Sequence, residues 1–259
     1  MEAQINGITL HYDDQGQGTP LLLVHAFPMN SALWQPQLEA LAGEARVIVP
    51  DLRGFGASEV PNGPYTMETF ADDLAALLDQ LQIEQVVLAG VSMGGYIAFA
   101  FWRRYASRVR ALVLSDTRAT ADGDEARAGR ESNAQLAETQ GARVIADMML
   151  PNLLSPTATT EVQNRVRDII VSNQPYGIAS ALRGMALRPD SSDLLPSINV
   201  PTLLLVGSED GLTSPDEMRG LQQGIAGSRL VEIPGAGHLP NFENAEEFTA
   251  ALREFVQGQ

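Results

Sequence analysis

The 259-residue chain contains no cysteine, which rules out disulfides, thiolate metal sites and a cysteine nucleophile. Basic residues are few, 17 against 32 acidic ones, for a formal charge of 17 − 32 = −15. Affinity for phosphates comes mainly from Lys and Arg, so this balance argues against a nucleic-acid partner. Only three histidines exist, so an imidazole base must be His11, His25 or His238. No apolar run approaches the roughly 20 residues that span a bilayer. The opening MEAQINGITLHYDD lacks the basic and apolar blocks of a signal peptide. These absences predict a soluble, cytoplasmic protein with no membrane partner. What is present is core material: 44% of residues are hydrophobic, too many for a disordered chain. The acidic excess reads as a solvated surface.

Asn6-Gly7 lies between short alternating segments and suits a type I′ hairpin turn. Short apolar runs follow at Leu21–Val24, Val47–Val49, Val86–Ala89, Ala111–Leu114, Leu203–Val206 and Leu230–Ile233. Near-continuous runs of this length fit strands buried on both faces, as in a parallel sheet. Stretches with helical spacing lie between most of them, such as Phe70, Leu74, Leu77, Leu78 and Leu81. Strand alternating with helix predicts an α/β fold with a mostly parallel, twisted sheet and helices on both faces. Helix starts support this register, with N-caps expected at Thr66, Ser214 and Asn244. From Thr117 to Leu195 no strand is legible, and Pro151, Pro156, Pro175 and Pro189 punctuate helix-permissive stretches. A structureless insert of that length is uncommon in a compact domain. The expected division is therefore a core of 1–116 and 196–259 with a helical cap, 117–195, inserted between two strands.

The sharpest motif is Gly90-Val91-Ser92-Met93-Gly94-Gly95. A lone G-x-S-x-G is weak, but this one follows an apolar strand and precedes a plausible helix, the setting a nucleophile elbow requires. Its glycines permit close approach around a sharp turn, leaving Ser92 strained and exposed at the positive end of a helix dipole. Serine needs a base. His11 sits in the hairpin as an exposed strand residue. His25 ends a strand and could be a base or a structural hydrogen-bonding residue. His238, in a glycine-rich loop before the final helix, is free to reach a site at the sheet's edge. The base in turn needs an acid. Asp210, after Leu203–Val206, is favoured; Asp116, after Leu114, and Glu209 compete. The chain order Ser92, Asp210, His238 matches the α/β-hydrolase triad. An acyl-transfer site also needs oxyanion donors: the N–H of Met93, and one from the loop His25-Ala26-Phe27-Pro28.

With these motifs in hand, the sequence resembles the α/β-hydrolase superfamily over nearly its whole length. HAFP at 25–28, PDLRGFGAS at 50–58, GVSMGG at 90–95, SEDGLTSP at 208–215 and GAGHLP at 235–240 carry the likeness in family order. Within the superfamily it looks like esterases, non-haem perhydrolases and 3-oxoadipate enol-lactonase-like proteins, and SDTRATAD at 115–122 is similar to the last group. The resemblance implies an α/β-hydrolase fold, Ser92 as nucleophile, Asp210 as acid, His238 as base, and the Phe27 and Met93 N–H groups as oxyanion hole. Many relatives carry His-Gly where this chain has His25-Ala26; a left-handed backbone there would cost alanine about 1 kcal/mol. Serine at 92 disfavours dehalogenase and epoxide hydrolase chemistry, which uses aspartate.

The expected activity is cleavage of small carboxylic esters or lactones through an acyl-enzyme, without metal or organic cofactor. Perhydrolysis, carbon–carbon bond hydrolysis or a lyase reaction could run on the same triad, and a non-catalytic binding protein is the remaining alternative. Met148 and Met185 are candidates for the substrate pocket, with core packing an equal account of each. Arg118, Arg143 and Arg183 are candidates to meet a substrate carboxylate.

Overall fold

A computed structural model describes residues 1–259. Asn6 and Gly7 both have positive φ, 48° and 82°, as a type I′ turn demands. That turn joins β1 (Glu2–Ile5) to β2 (Ile8–Gln15) as an antiparallel pair. The apolar runs form β3 (Pro20–Val24), β4 (Arg46–Pro50), β5 (Val86–Val91), β6 (Val109–Ser115), β7 (Thr202–Gly207) and β8 (Arg229–Ile233). The eight strands order as β1-β2-β4-β3-β5-β6-β7-β8, and all pairs from β4 to β8 are parallel.

Period-two alternation sends successive residues to opposite faces. Leu22, Val24, Leu88, Leu112, Leu114 and Leu204 join one core cluster, while Leu21, Leu23, Val87, Val113, Leu203 and Leu205 join the other. Both faces are covered. α2 (Met67–Gln80), α3 (Met93–Tyr105) and α8 (Pro215–Gly224) contribute to the first cluster. α1 (Gln35–Leu41) and the C-terminal α10 (Ala245–Gln257), preceded by the short α9 (Pro240–Glu243), contribute to the second. β8 departs from the expected two-sided burial: it is the edge strand, and Arg229 and Glu232 are exposed.

The three expected N-caps are present. Thr66 Oγ1 accepts from Thr69 N–H, Asn244 Oδ1 accepts from Glu247 N–H, and Ser214 with Glu217 forms a capping box. Between β6 and β7 the chain contains no strand. It forms α4 (Asp124–Gln140), α5 (Ala142–Leu153), α6 (Thr160–Val171) and α7 (Pro175–Ala186). Pro151 does not end its helix, which runs on to Leu153.

The path of the chain sets two loops apart at one end of the sheet. From β3 it runs outward to β4, then returns across β3 to β5. The loops after β3 and β5 therefore diverge, and such a switch point is where open α/β sheets bind ligands at the carboxyl ends of their strands. His25–Pro28 leaves from one of these strands and Ser92 from the other.

Candidate active site

Ser92 joins β5 to α3 with φ 56° and ψ −113°, a conformation that is costly for any residue but glycine. Several contacts impose it. Ser92 N–H donates to the Ser115 carbonyl at 2.8 Å, and the Ser92 carbonyl accepts from Gly95 N–H at 2.9 Å and Thr117 Oγ1 at 2.8 Å. The flanking glycines leave no room for side chains. A Cβ on Gly94 would lie 2.3 Å from the Val24 carbonyl oxygen, and one on Gly90 would lie 2.3 Å from Gly94 itself. The hydroxyl thus stands at the N-terminus of α3, where the helix dipole favours developing negative charge.

His238 Nε2 lies 2.8 Å from Ser92 Oγ, and its Nδ1 lies 2.8 Å from Asp210 Oδ2. A carboxylate can only accept, so Nδ1 carries the proton and Nε2 is free to receive one from serine. Asp210 Oδ1 accepts from the N–H groups of Leu212 at 2.7 Å and Thr213 at 3.0 Å. Burial pushes the Asp210 carboxyl up, but the His238 hydrogen bond and charge, with these two N–H groups, outweigh it and hold it below its usual range.

The competitors have other partners. His25 is fully buried; its Nδ1–H donates to the Ala26 carbonyl at 2.9 Å and its Nε2 accepts from Leu52 N–H at 3.1 Å. Both ring nitrogens are occupied, and burial lowers its pKa to about 4 against the Ala26 hydrogen bond and the Asp51 charge. His25 is thus a loop brace. His11 stands 3.2 Å from Asp51, away from Ser92. Glu209 is exposed, with only its backbone tied, to Ala236. Asp116 is buried beside Asp210, but its Oδ1 accepts from Gly207 N–H at 2.9 Å and its Oδ2 from the Ser115 hydroxyl. Asp116, Asp210 and His238 are also the group whose ligand atoms lie close enough together, within 4.8 Å, to hold a metal ion. Both imidazole nitrogens are already hydrogen-bonded, to Asp210 and to Ser92.

The N–H groups of Phe27 and Met93 donate to no acceptor in the protein. Ala26 has no positive φ; the non-glycine residues that do are Asn6, Gln82, Ser92 and Asp116. The penalty expected for alanine at this position does not arise. Met148 is exposed on α5, whereas Met185 is buried in the first core cluster, its sulfur accepting from Arg130 at 3.4 Å. Packing accounts for Met185. Arg183 pairs with Glu131 and Glu138, Arg118 reaches Leu212 and Glu217, and Arg143 is exposed. All but Arg143 are thus engaged within the protein.

Two residues with no sequence signal tie α5–α7 to the site. Asn173, after α6, donates to the Pro28 carbonyl at 2.8 Å and accepts from Gly56 N–H at 2.8 Å. Glu243 accepts from Gly237 N–H at 2.8 Å with one oxygen and from Ser155 N–H at 2.7 Å with the other. His238 N–H itself donates to the Leu153 carbonyl at 3.1 Å. An isolated asparagine or glutamate of this kind reads as an ordinary polar residue until the fold closes around it.

This chain belongs to the α/β-hydrolase family: the family described as having the alpha/beta hydrolase fold matches residues 19–245. A thermophilic esterase from Thermogutta terrifontis, solved with malate bound, superposes with a TM-score of 0.97 at 45% identity, covering 100% of this chain and 98% of that one. The enol-lactonase of Burkholderia xenovorans superposes with a TM-score of 0.90 at 33% identity, covering 99% of this chain and 100% of that one. The 3-oxoadipate enol-lactonase 2 of Acinetobacter baylyi is 29% identical over 255 residues, 96% of this chain and 94% of that protein.

Proposed function

We propose that the protein is a serine hydrolase of small carboxylic esters or lactones, acting through an acyl-enzyme on Ser92. The observation that carries this is the unbroken chain of contacts from Ser92 Oγ through His238 to Asp210, each 2.8 Å long. As Ser92 Oγ attacks the ester carbonyl carbon, its proton passes to His238 Nε2. The carbonyl oxygen becomes an oxyanion that the Phe27 and Met93 N–H groups receive. The imidazolium then gives its proton to the departing alkoxide as the carbon–oxygen bond breaks, leaving an acyl-serine and an alcohol. Water repeats the sequence: His238 takes a proton, hydroxide adds to the acyl carbon, and Ser92 leaves reprotonated. Asp210 stays ionised, fixing the imidazole tautomer. Esterases and enol-lactonases among the relatives support the substrate class.

Residues 117–195 act in this scheme as a cap. The support is the set of ties from Leu153, Ser155 and Asn173 to the His238 and Pro28 loops.

The test is p-nitrophenyl acetate hydrolysis by the wild type and Ser92→Ala. We expect loss of at least about 10³-fold in kcat. Equal rates in the two proteins would eliminate the serine mechanism.

A further inference from the structure

Asp116 is a second carboxyl at the site, and the ester-cleavage scheme above leaves it without a role. It follows β6, is 0% exposed, and holds a left-handed backbone at φ 47° with its N–H on the Leu205 carbonyl at 3.0 Å. Its side chain lies beside that of Asp210, which is also buried. One oxygen from each carboxyl and a ring nitrogen of His238 all fall within 4.8 Å of one another.

Two buried carboxyls this close cannot both ionise without strong mutual repulsion, and a proton on one relieves it by supplying a donor to the other. The partners decide which. Asp210 accepts from three N–H groups, those of Leu212, Thr213 and His238, which suits the charged form. Asp116 has one N–H donor, Gly207, and otherwise the Ser115 hydroxyl, which can turn from donor to acceptor. Burial first, and then the charge of Asp210, push the Asp116 carboxyl well above the usual carboxylate range, against the Ser115 and Gly207 hydrogen bonds. No cation relieves it. Arg118, two residues on, directs its guanidinium to the Leu212 carbonyl and Glu217, and the neighbouring Glu209 is exposed.

We propose that Asp116 is a positioning residue, a neutral carboxylic acid whose O–H donates to the Asp210 carboxylate and fixes the orientation in which Asp210 holds His238. This role rests on the serine-hydrolase reading, but the protonation of Asp116 can be measured without turnover.

Asparagine imitates the neutral acid: its amide N–H takes the place of the O–H, and it tolerates left-handed backbone. The infrared difference between wild type and Asp116→Asn at neutral pH should contain a protonated-carboxyl stretch belonging to the wild type. Its absence would overturn the assignment. In turnover of p-nitrophenyl acetate, Asp116→Asn should keep kcat within about threefold, whereas Asp116→Gly should lose about tenfold or more in kcat with KM little changed. A tenfold loss in the asparagine variant would mean that a second negative charge is needed, and wild-type kcat in the glycine variant would mean that the side chain only fills space. Either result defeats the proposal.

Stability supplies an arm that survives if the glycine variant does not fold. A raised carboxyl pKa favours the folded state below the unfolded value and penalises it as pH rises towards the folded value. Asp116→Asn removes that penalty, so its Tm should gain on the wild type as pH goes from about 4 to 8. A difference that stays flat with pH would count against a buried neutral acid. Full activity in Ser92→Ala would instead sink the serine mechanism and leave the infrared band as it was.

Discussion

At the scale of single residues, the two buried imidazoles take opposite parts because of what their nitrogens touch. His238 faces a carboxylate and a hydroxyl, a pairing that lets a proton move. His25 faces a carbonyl and an amide N–H, and protonating its Nε2 would set two donors against each other. Its pKa, lowered from 6.5 to about 4, means that the unfolded chain binds the proton more readily in that window. Stability should therefore fall as pH drops from about 6.5 to about 4, with His25 contributing on the order of 3 kcal/mol, and level off below. In His25→Gln, which can still accept from Leu52 N–H, urea denaturation across that range should show a flatter slope. An unchanged slope would place the acid sensitivity elsewhere. Asp210 and His238 stood out in the sequence because each lies in a loop that follows a strand. The occupied nitrogens of His25 did not, since the Leu52 N–H arrives from 27 residues along the chain.

At the scale of elements, local signals served well where local forces decide. Thr66, Ser214 and Asn244 cap their helices because an N-cap side chain needs only the next turn of its own helix. Strand runs were legible because every parallel strand but the edge strand β8 is buried on both faces. The seating of α7 was not. Its Gly177 would carry a Cβ 1.9 Å from the Gly54 carbonyl oxygen, and its Gly184 one 1.5 Å from that of Tyr65. Helical glycine ordinarily weakens a helix, so these positions read as poor helix formers until the opposing backbone is seen. Gly184→Ala should destabilise the protein by at least about 2 kcal/mol, since the obstacle is main chain and cannot rotate aside. Gly129 in α4 meets nothing within 4 Å. There, alanine should stabilise by roughly 0.5–1 kcal/mol. Thermal denaturation of the pair checks both signs, and similar shifts in the two would refute the packing account.

At the scale of the whole molecule, the charge of −15 sets the field in which a substrate arrives. An ester bearing a carboxylate is repelled on approach, and salt screens that repulsion. Its kcat/KM should rise as ionic strength goes from about 0.01 M to about 0.3 M, while that of p-nitrophenyl acetate stays level. Parallel salt responses for the two esters would show that the global field has no part in selection. The α/β class was readable from the alternation of apolar runs, whereas the β3–β5 divergence depends on a strand order that no local pattern encodes. The ties at α5–α7 have a mechanical result. On one flank the α5–α6 turn is fastened to the loop of His238, through Leu153 and through Glu243. On the other, α7 rests against main chain with no clearance. In the proposed scheme, moving the first flank outward would pull on the His238 loop through these hydrogen bonds and disturb the alignment of the imidazole with Ser92. If residues 117–195 roof the proposed ester site, variants that trim side chains there should keep His238 in place better than variants that break the Leu153 or Glu243 ties.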